Sequence, residues 1–319
     1  MQPDQINSSL QALTRQYPAI EPLPHLPPAL AERQTFLGFT FTSRGSISSK
    51  CYFRPERDIR RLLSIIPVHS RGHFQTLHDM AIRLGAALYD SSLECTEKNE
   101  KTARAVWAIP YAVRQDDIRL KPWLSEFLNA VGFTGMSQPL LAINTALRQG
   151  LNTCLAPLYL IGGYIDPAGS ISRLKISFDA DCVEPESPLD RQPNYDGART
   201  LAGLSKVMPL IADSSRTTAM MSYARRLLQA GYRIHLWGAH ALPNQMDEFK
   251  IYFQSLHKSI GHEDQIILHE IMTEYGISHA ELPPLVSHTL IQDSWKYWGF
   301  NLSMQANRIK AVKLYLTAS

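Results

Sequence analysis

The chain has 319 residues, 45% of them hydrophobic and 19% charged, a balance typical of a folded globular protein with a sizeable core. Its net charge of +3 is too mild, and its Lys and Arg residues are too evenly spread, for a nucleic-acid binder. No apolar run approaches the roughly 18–20 residues of a membrane span, which excludes an integral membrane enzyme built on apolar helices.

The N-terminus, "MQPDQINSSL", carries no basic-then-apolar signal. The cysteines, Cys51, Cys95, Cys154 and Cys182, form no C-x-x-C pair and read as reduced thiols. Both features point to a cytoplasmic protein. A helix-like start, Gln5 to Tyr17, runs into the Pro-rich "AIEPLPHLPPAL". A strand pair follows, "FLGFTFTS" and "SSKCYFRP", joined near Arg44 and Gly45. A helix is predicted from Gly72 to Tyr89, then two weaker strands, "SSLECTE" and "RAVWAIPYAV". Helices near Leu120–Val131 and Gln138–Arg148 precede "LAPLYLIGGYID" and "ISRLKISFDA". Helices at Ala198–Ile211 and Thr217–Ala230 precede "RIHLWGAHA" and "EFKIYFQSL". The last unit has a helix at Glu263–Tyr275, a short one near Leu285–Ile291, then "KYWGFNLSMQ" and "IKAVKLYLTA".

The same unit, helix then hairpin, thus recurs along the whole chain. Ten antiparallel strands from five such hairpins could close into one barrel and leave no sheet edge. The predicted fold is therefore α+β: a ten-stranded antiparallel barrel from five helix-plus-hairpin repeats, helices outside, in a single domain over residues 1–319. The Pro- and Asp-containing stretch from Glu184 to Gly197 reads as a long loop rather than a linker.

The strands also assign faces. Cys51 and Phe53, Leu174, Ile176 and Phe178, Phe249, Ile251 and Phe253, and Leu314 and Leu316 alternate with polar residues. Helices packed on this apolar face would bury it at about 25 cal/mol per Å². The opposite face carries Lys50, Tyr52 and Arg54; Arg173, Lys175 and Ser177; Glu248, Lys250 and Tyr252; and Lys313, Tyr315 and Thr317. A lysine facing solvent is the ordinary way to write Lys-x-Tyr on a half-buried strand. Four copies, each on the second strand of its hairpin, favour a ring of cations and phenols around a cavity suited to a polyanion such as a diphosphate.

At these residues the sequence resembles the soluble aromatic prenyltransferases of the ABBA barrel superfamily. "FTFTSRGSISSKCYFRP" is similar to a hairpin of the indole prenyltransferases. "GGYIDPAGSISRLKISFDAD" and "GFNLSMQANRIKAVKLYLTAS" resemble hairpins of the shorter cyanobactin peptide prenyltransferases, which also have about this length and end on their final strand. The resemblance implies that an allyl diphosphate, dimethylallyl in the first instance, ionises and that an electron-rich acceptor attacks the cation. The acceptor is a peptide side chain or a small indole or phenol, and the enzyme is expected to be monomeric. Carried over, Lys50, Lys175, Lys250 and Lys313 are diphosphate ligands, joined by Arg173, and Tyr52, Tyr252 and Tyr315 shield the cation. Ser177 replaces one shield tyrosine. Relatives place an acid on the first hairpin, yet no Asp or Glu lies between Glu32 and Glu56, and Thr40 or Thr42 stands there instead. His235, with Glu94 as second choice, is the expected base. Trp237 with Trp107 or Trp298 is expected in the acceptor pocket, beside Thr40. Mg²⁺ would assist only through the diphosphate.

Other motifs give less. Asp116 and Asp117 lack the third acid of D-D-x-x-D and read as a helix start. His269 and Glu270 lack the second His of H-E-x-x-H, and no P-loop, G-x-S-x-G or G-x-G-x-x-G is present, so no protein-bound metal is predicted. The alternative is a non-catalytic barrel carrying an anionic isoprenoid or lipid.

Overall fold

The computed structural model describes residues 34–43, 47–53, 68–95, 101–152, 157–165, 171–179, 196–210, 214–255, 262–277, 295–305 and 308–318, and the single positions Ser8, Gln11, Arg15 and Leu63. The predicted joint at Arg44 and Gly45, most of the first helix, the loop before Asp196 and the short helix near Leu285–Ile291 lie outside the described residues.

The strands are β1 (Gln34–Thr42), β2 (Ile47–Phe53), β3 (Ala87–Cys95), β4 (Lys101–Ala108), β5 (Leu158–Ile165), β6 (Ile171–Asp179), β7 (Tyr232–Leu242), β8 (Gln245–Ser255), β9 (Trp295–Gln305) and β10 (Arg308–Ala318). Every neighbouring pair is antiparallel, and β1 pairs with both β2 and β10. The sheet therefore closes on itself in the order β1-β10-β9-β8-β7-β6-β5-β4-β3-β2.

The described helices are α1 (Val68–Arg83), α2 (Tyr111–Arg114), α3 (Asp117–Ala130), α4 (Ser137–Leu151), α5 (Gly197–Val207), α6 (Ser214–Gln229) and α7 (His262–Glu274). None of them is long and apolar enough to cross a membrane. α1 stops before the predicted Tyr89, because Gly85 turns left-handed at φ 77° and Ala86 N–H closes back on Ala81 O. The chain is then free to start β3 at Ala87. β4 ends earlier than predicted because Pro110, at the N-cap of α2, cannot donate to a ladder. The Asp116 side chain caps α3 by accepting from Arg119 N–H, the structural role predicted for that acid pair.

Helices and the outer barrel face share one apolar core. Trp107 of β4 lies 6.3 Å from Phe74 of α1 and 6.4 Å from Phe127 of α3, ring centre to ring centre. Across the sheet, Trp107 pairs with Ile161, Ile161 with Ile176, Ile176 with Ala239, and Ala239 with Phe249, so one face continues from strand to strand. All are buried in that core. The helices take the outside, and the polar alternates face inward.

Candidate active site in the barrel interior

Register fixes the inner wall. Lys50 sits opposite Gly38 and Glu94, Gly38 opposite Tyr315, and Lys313 opposite Thr40 and Asn301. Asn301 faces Tyr252, Lys250 faces Gly238 and Ser303, and Gly238 faces Ser177. Lys175 faces Gly162 and His240, and Tyr164 faces Arg104 and Arg173. Cross-strand partners share a face, so these residues line one surface.

Side-chain contacts that skip a strand establish that the surface is concave. Lys50 Nζ of β2 is 5.1 Å from the Tyr164 ring centre of β5. Lys175 of β6 is 5.7 Å from the Tyr252 ring of β8, and the Tyr252 ring is 6.1 Å from Tyr315 of β10. Lys313 Nζ is 5.7 Å from the ring of Tyr315. Lys50 and Lys313 are only 8% and 5% exposed, which is unusual for lysine and follows from their place inside. Lys50, Lys175 and Lys313 thus each lie beside a phenol, while Lys250 shares their wall and faces the Glu248 carboxylate. The side chains of Tyr52 and Glu94 lie outside the described residues, although the backbone register gives both the inner parity.

Glycine and serine make room between these groups. A Cβ on Gly238 would stand 3.1 Å from the Tyr252 ring, so the bare backbone lets that ring lie against β7. Ser177 is fully buried between Leu160 and Gly238, and its hydroxyl has no hydrogen-bond partner among the described residues.

His235 and Trp298 join the tyrosines. Their rings are 5.5 Å apart, and Trp298 meets Tyr315 edge-on at 5.8 Å. Thr40 is partly buried on the inner parity beside Lys313.

Two acceptor-pocket expectations are corrected. Trp107 and Trp237 lie in the core between barrel and helices, not in the interior. Trp107 donates from Nε1 to His78 Nδ1 at 3.3 Å, and Trp237 packs 5.7 Å from Phe249. Trp237 shares simple parity with His235, but the ladder shifts between Ile234 and Leu236, and the extra residue turns every later side chain over.

Arg173 also departs from its expected role. Its guanidinium ion-pairs with Asp247 and, at 3.1 Å, with Glu248. Its charge is thus directed at two acids of β8, which the expectation of a diphosphate ligand did not include. Gln305 holds the other Asp247 oxygen at 2.7 Å.

Around Glu248 the interior holds a polar cluster that sequence reasoning did not assemble. His240 Nδ1 is 2.8 Å from Glu248, Lys250 Nζ is 3.5 Å from the same carboxylate, and Tyr164 Oη is 3.4 Å from His240 Nε2. Burial opposes the charge on Glu248, but Lys250, His240 and Arg173 outweigh it and hold the carboxyl well below its ordinary range. Burial, with Lys250 and Arg173 nearby, pushes His240 well below its usual value and keeps it neutral, against the pull of Glu248. The available signal was parity on the first strands of the hairpins, where Tyr164 and His240 stand. Among the described residues no group of three His, Cys, Asp or Glu side chains could hold a metal ion.

The wall therefore offers lysines to a polyanion, aromatic faces to a cation beside it, and a buried base. No protein-family model matches the chain, and no curated protein is similar to it. Solved structures are. A 6-dimethylallyl tryptophan synthase aligns over 98% of this chain and 95% of its own, at a TM-score of 0.63 and 12% identity. The 6-dimethylallyltryptophan synthase from Micromonospora olivasterospora, solved with DMASPP and Trp, aligns over 93% and 87%, at 0.59 and 12%. The NotF prenyltransferase aligns over 90% and 81%, at 0.58 and 12%. The structures to which this chain is similar are thus aromatic prenyltransferases of the ABBA barrel kind, and the chain shares their fold.

Proposed function

We propose that this chain is a prenyltransferase acting as a single barrel of five helix-plus-hairpin units. It moves an allyl group, dimethylallyl in the first instance, from its diphosphate to an electron-rich acceptor. The observation that carries the reading is the convergence of Lys50, Lys175 and Lys313, from three strands, on one inner wall with the rings of Tyr164, Tyr252 and Tyr315 beside them. Lysines around the diphosphate stabilise the negative charge that grows as its C–O bond breaks. Rings beside the allyl carbon stabilise the cation and keep water from it. The acceptor then forms the new bond to carbon and gives up a proton, and pyrophosphate leaves.

Wall lysines supply the neutralisation that Mg²⁺ would otherwise bring. Any Mg²⁺ is proposed to assist through the diphosphate. His235 and Trp298, next to Tyr315, would border the acceptor, with Thr40 across the wall. The acceptor is a peptide side chain, as the cyanobactin-like hairpins suggest, or a small indole or phenol.

The test is incubation with dimethylallyl diphosphate and a panel of acceptors: L-tryptophan, brevianamide F, and short Trp- and Tyr-containing cyclic peptides. Pyrophosphate release together with a prenylated product is expected. A chain that binds the diphosphate and never releases pyrophosphate, whatever acceptor is offered, would be a carrier instead.

A further inference from the structure

We propose that Tyr164, His240 and Glu248 form a proton relay by which the acceptor's proton leaves the cavity. This rests on the prenyltransferase reading and adds the base that the first hairpin lacks. Tyr164 is the catalytic residue of the three, because its hydroxyl is the end that meets the acceptor; His240 and Glu248 act through it. Tyr164 is partly exposed to the interior, with Lys50 Nζ over its ring. His240 and Glu248 behind it are 2% and 6% exposed.

The hydrogen bonds have one consistent sense. A carboxylate at Nδ1 selects the tautomer with the proton there, donated to Glu248 at 2.8 Å. Nε2 is then an acceptor and faces Tyr164 Oη at 3.4 Å, so the phenol donates to it. Attack by an aromatic carbon on the allyl cation leaves a ring cation with one hydrogen too many. That C–H proton passes to Tyr164 Oη as the phenol proton passes to His240 Nε2. The C–H electron pair restores the aromatic ring. His240 becomes an imidazolium against Glu248 and later loses the proton to solvent.

Other charges near His240 are Lys250 beside Glu248, Lys175 opposite on β6, and Arg173, which ties Glu248 to Asp247. Burial above all, with Lys250 and Arg173 nearby, keeps a neutral, weakly basic imidazole here. A weak base suffices, because a protonated aromatic ring is a strong acid. The pyrophosphate still bound to the wall lysines offsets the new imidazolium charge.

The experiment compares wild type, Tyr164→Phe, His240→Asn and Glu248→Gln. Substrates are dimethylallyl diphosphate with ring-deuterated and ordinary L-tryptophan or brevianamide F, and a tyrosyl peptide in D₂O for attack by oxygen. In wild type, proton loss follows bond formation quickly and the isotope effect is near one. In Tyr164→Phe and His240→Asn, kcat for transfer should fall about 10²-fold, the common worth of a positioned base. Proton loss then limits the rate, so a primary isotope effect appears. A rate loss without an isotope effect would reduce the cluster to scaffolding, and wild-type rates in both variants would remove it altogether. Should His240→Asn fail to fold, Tyr164→Phe alone decides, since its ring is retained. A wild type that releases prenyl alcohol but modifies no acceptor overturns the transferase reading and the relay with it. One that never releases pyrophosphate overturns the prenyltransferase reading beneath it.

Discussion

A lysine held inside a barrel stands where most lysines do not, because burying a charge is costly. Lys50 and Lys313 are both buried there. A polyanion in the interior would meet both of them. Lys175→Ala, Lys250→Ala and Lys313→Ala should each weaken binding of dimethylallyl thiolodiphosphate by roughly 1.5–3 kcal/mol, the worth of one charge-assisted contact. Folding should survive, since none of the three side chains belongs to the apolar core. Lys250→Ala carries an added cost, because Lys250 also faces Glu248 at 3.5 Å. Calorimetry showing wild-type affinity in all three variants would remove the lysines from the site. Tyr252 and Tyr315 make a second test at this scale. Their rings are 6.1 Å apart, and Tyr315 Oη accepts from Asn301 Nδ2 at 2.6 Å. Phe at either position keeps the ring, so the ratio of prenyl alcohol to prenylated product should stay near wild type. Ala opens space for water, and the ratio should rise. Equal alcohol fractions in the Phe and Ala variants, measured by chromatography, would show that neither ring borders the cation.

At the scale of elements, alternation along a strand carried most of what could be read. β8 and β10 write one face apolar and the other polar, so Lys250, Tyr252, Lys313 and Tyr315 were assigned to the interior by parity alone. β4 does not. Val106 and Trp107 are both buried and apolar yet face opposite ways, so nothing in "RAVWAIP" said which one met the helices. On β7 the alternation is interrupted at the irregularity after Ile234, which the sequence does not mark; this misplaced Trp237. The cluster of Tyr164, His240 and Glu248 was hidden for a third reason. It spans β5, β7 and β8, and it takes the pairing of β6 between β5 and β7, with the sheet curved inward, to bring Tyr164 to His240. Helix pairing is equally specific. A Cβ on Gly150 of α4 would lie 2.5 Å from Gly203 Cα of α5, so the two helices touch backbone to backbone there. Backbone cannot swing aside as a side chain can. Gly150→Ala should therefore force α4 and α5 apart and destabilise the protein by about 1–3 kcal/mol, despite the better helix propensity of alanine. An unchanged urea midpoint would mean that the pair slides freely.

For the whole molecule, the buried cluster ties barrel stability to pH. Arg173 on β6, His240 on β7 and Glu248 on β8 are joined by hydrogen bonds and ion pairs, so these strands share one protonation state. His240 is held below its ordinary value of 6.5 in the fold, chiefly by burial. The unfolded chain thus binds a proton there at a pH where the folded chain does not. Its contribution is fully present above about 6.5 and is lost as pH falls below that value, by up to about 1.4 kcal/mol per pH unit for one proton. His78 is also lowered by burial and adds in the same direction. Glu248, whose folded value is depressed by Lys250, His240 and Arg173, acts with the same sign but only lower down. Its contribution begins to be lost below its ordinary 4.5. The curve of unfolding free energy against pH should therefore be flat above 7, decline first through the imidazole range, and steepen below about 4.5. His240→Asn should shallow the first decline and soften the second without removing it, since Lys250 and Arg173 still hold Glu248 down. Urea titrations from pH 8 to pH 4 separate the two. If wild type lost no stability between pH 7 and pH 5, His240 would already be protonated in the fold, and the neutral imidazole that can accept a proton from Tyr164 would not exist.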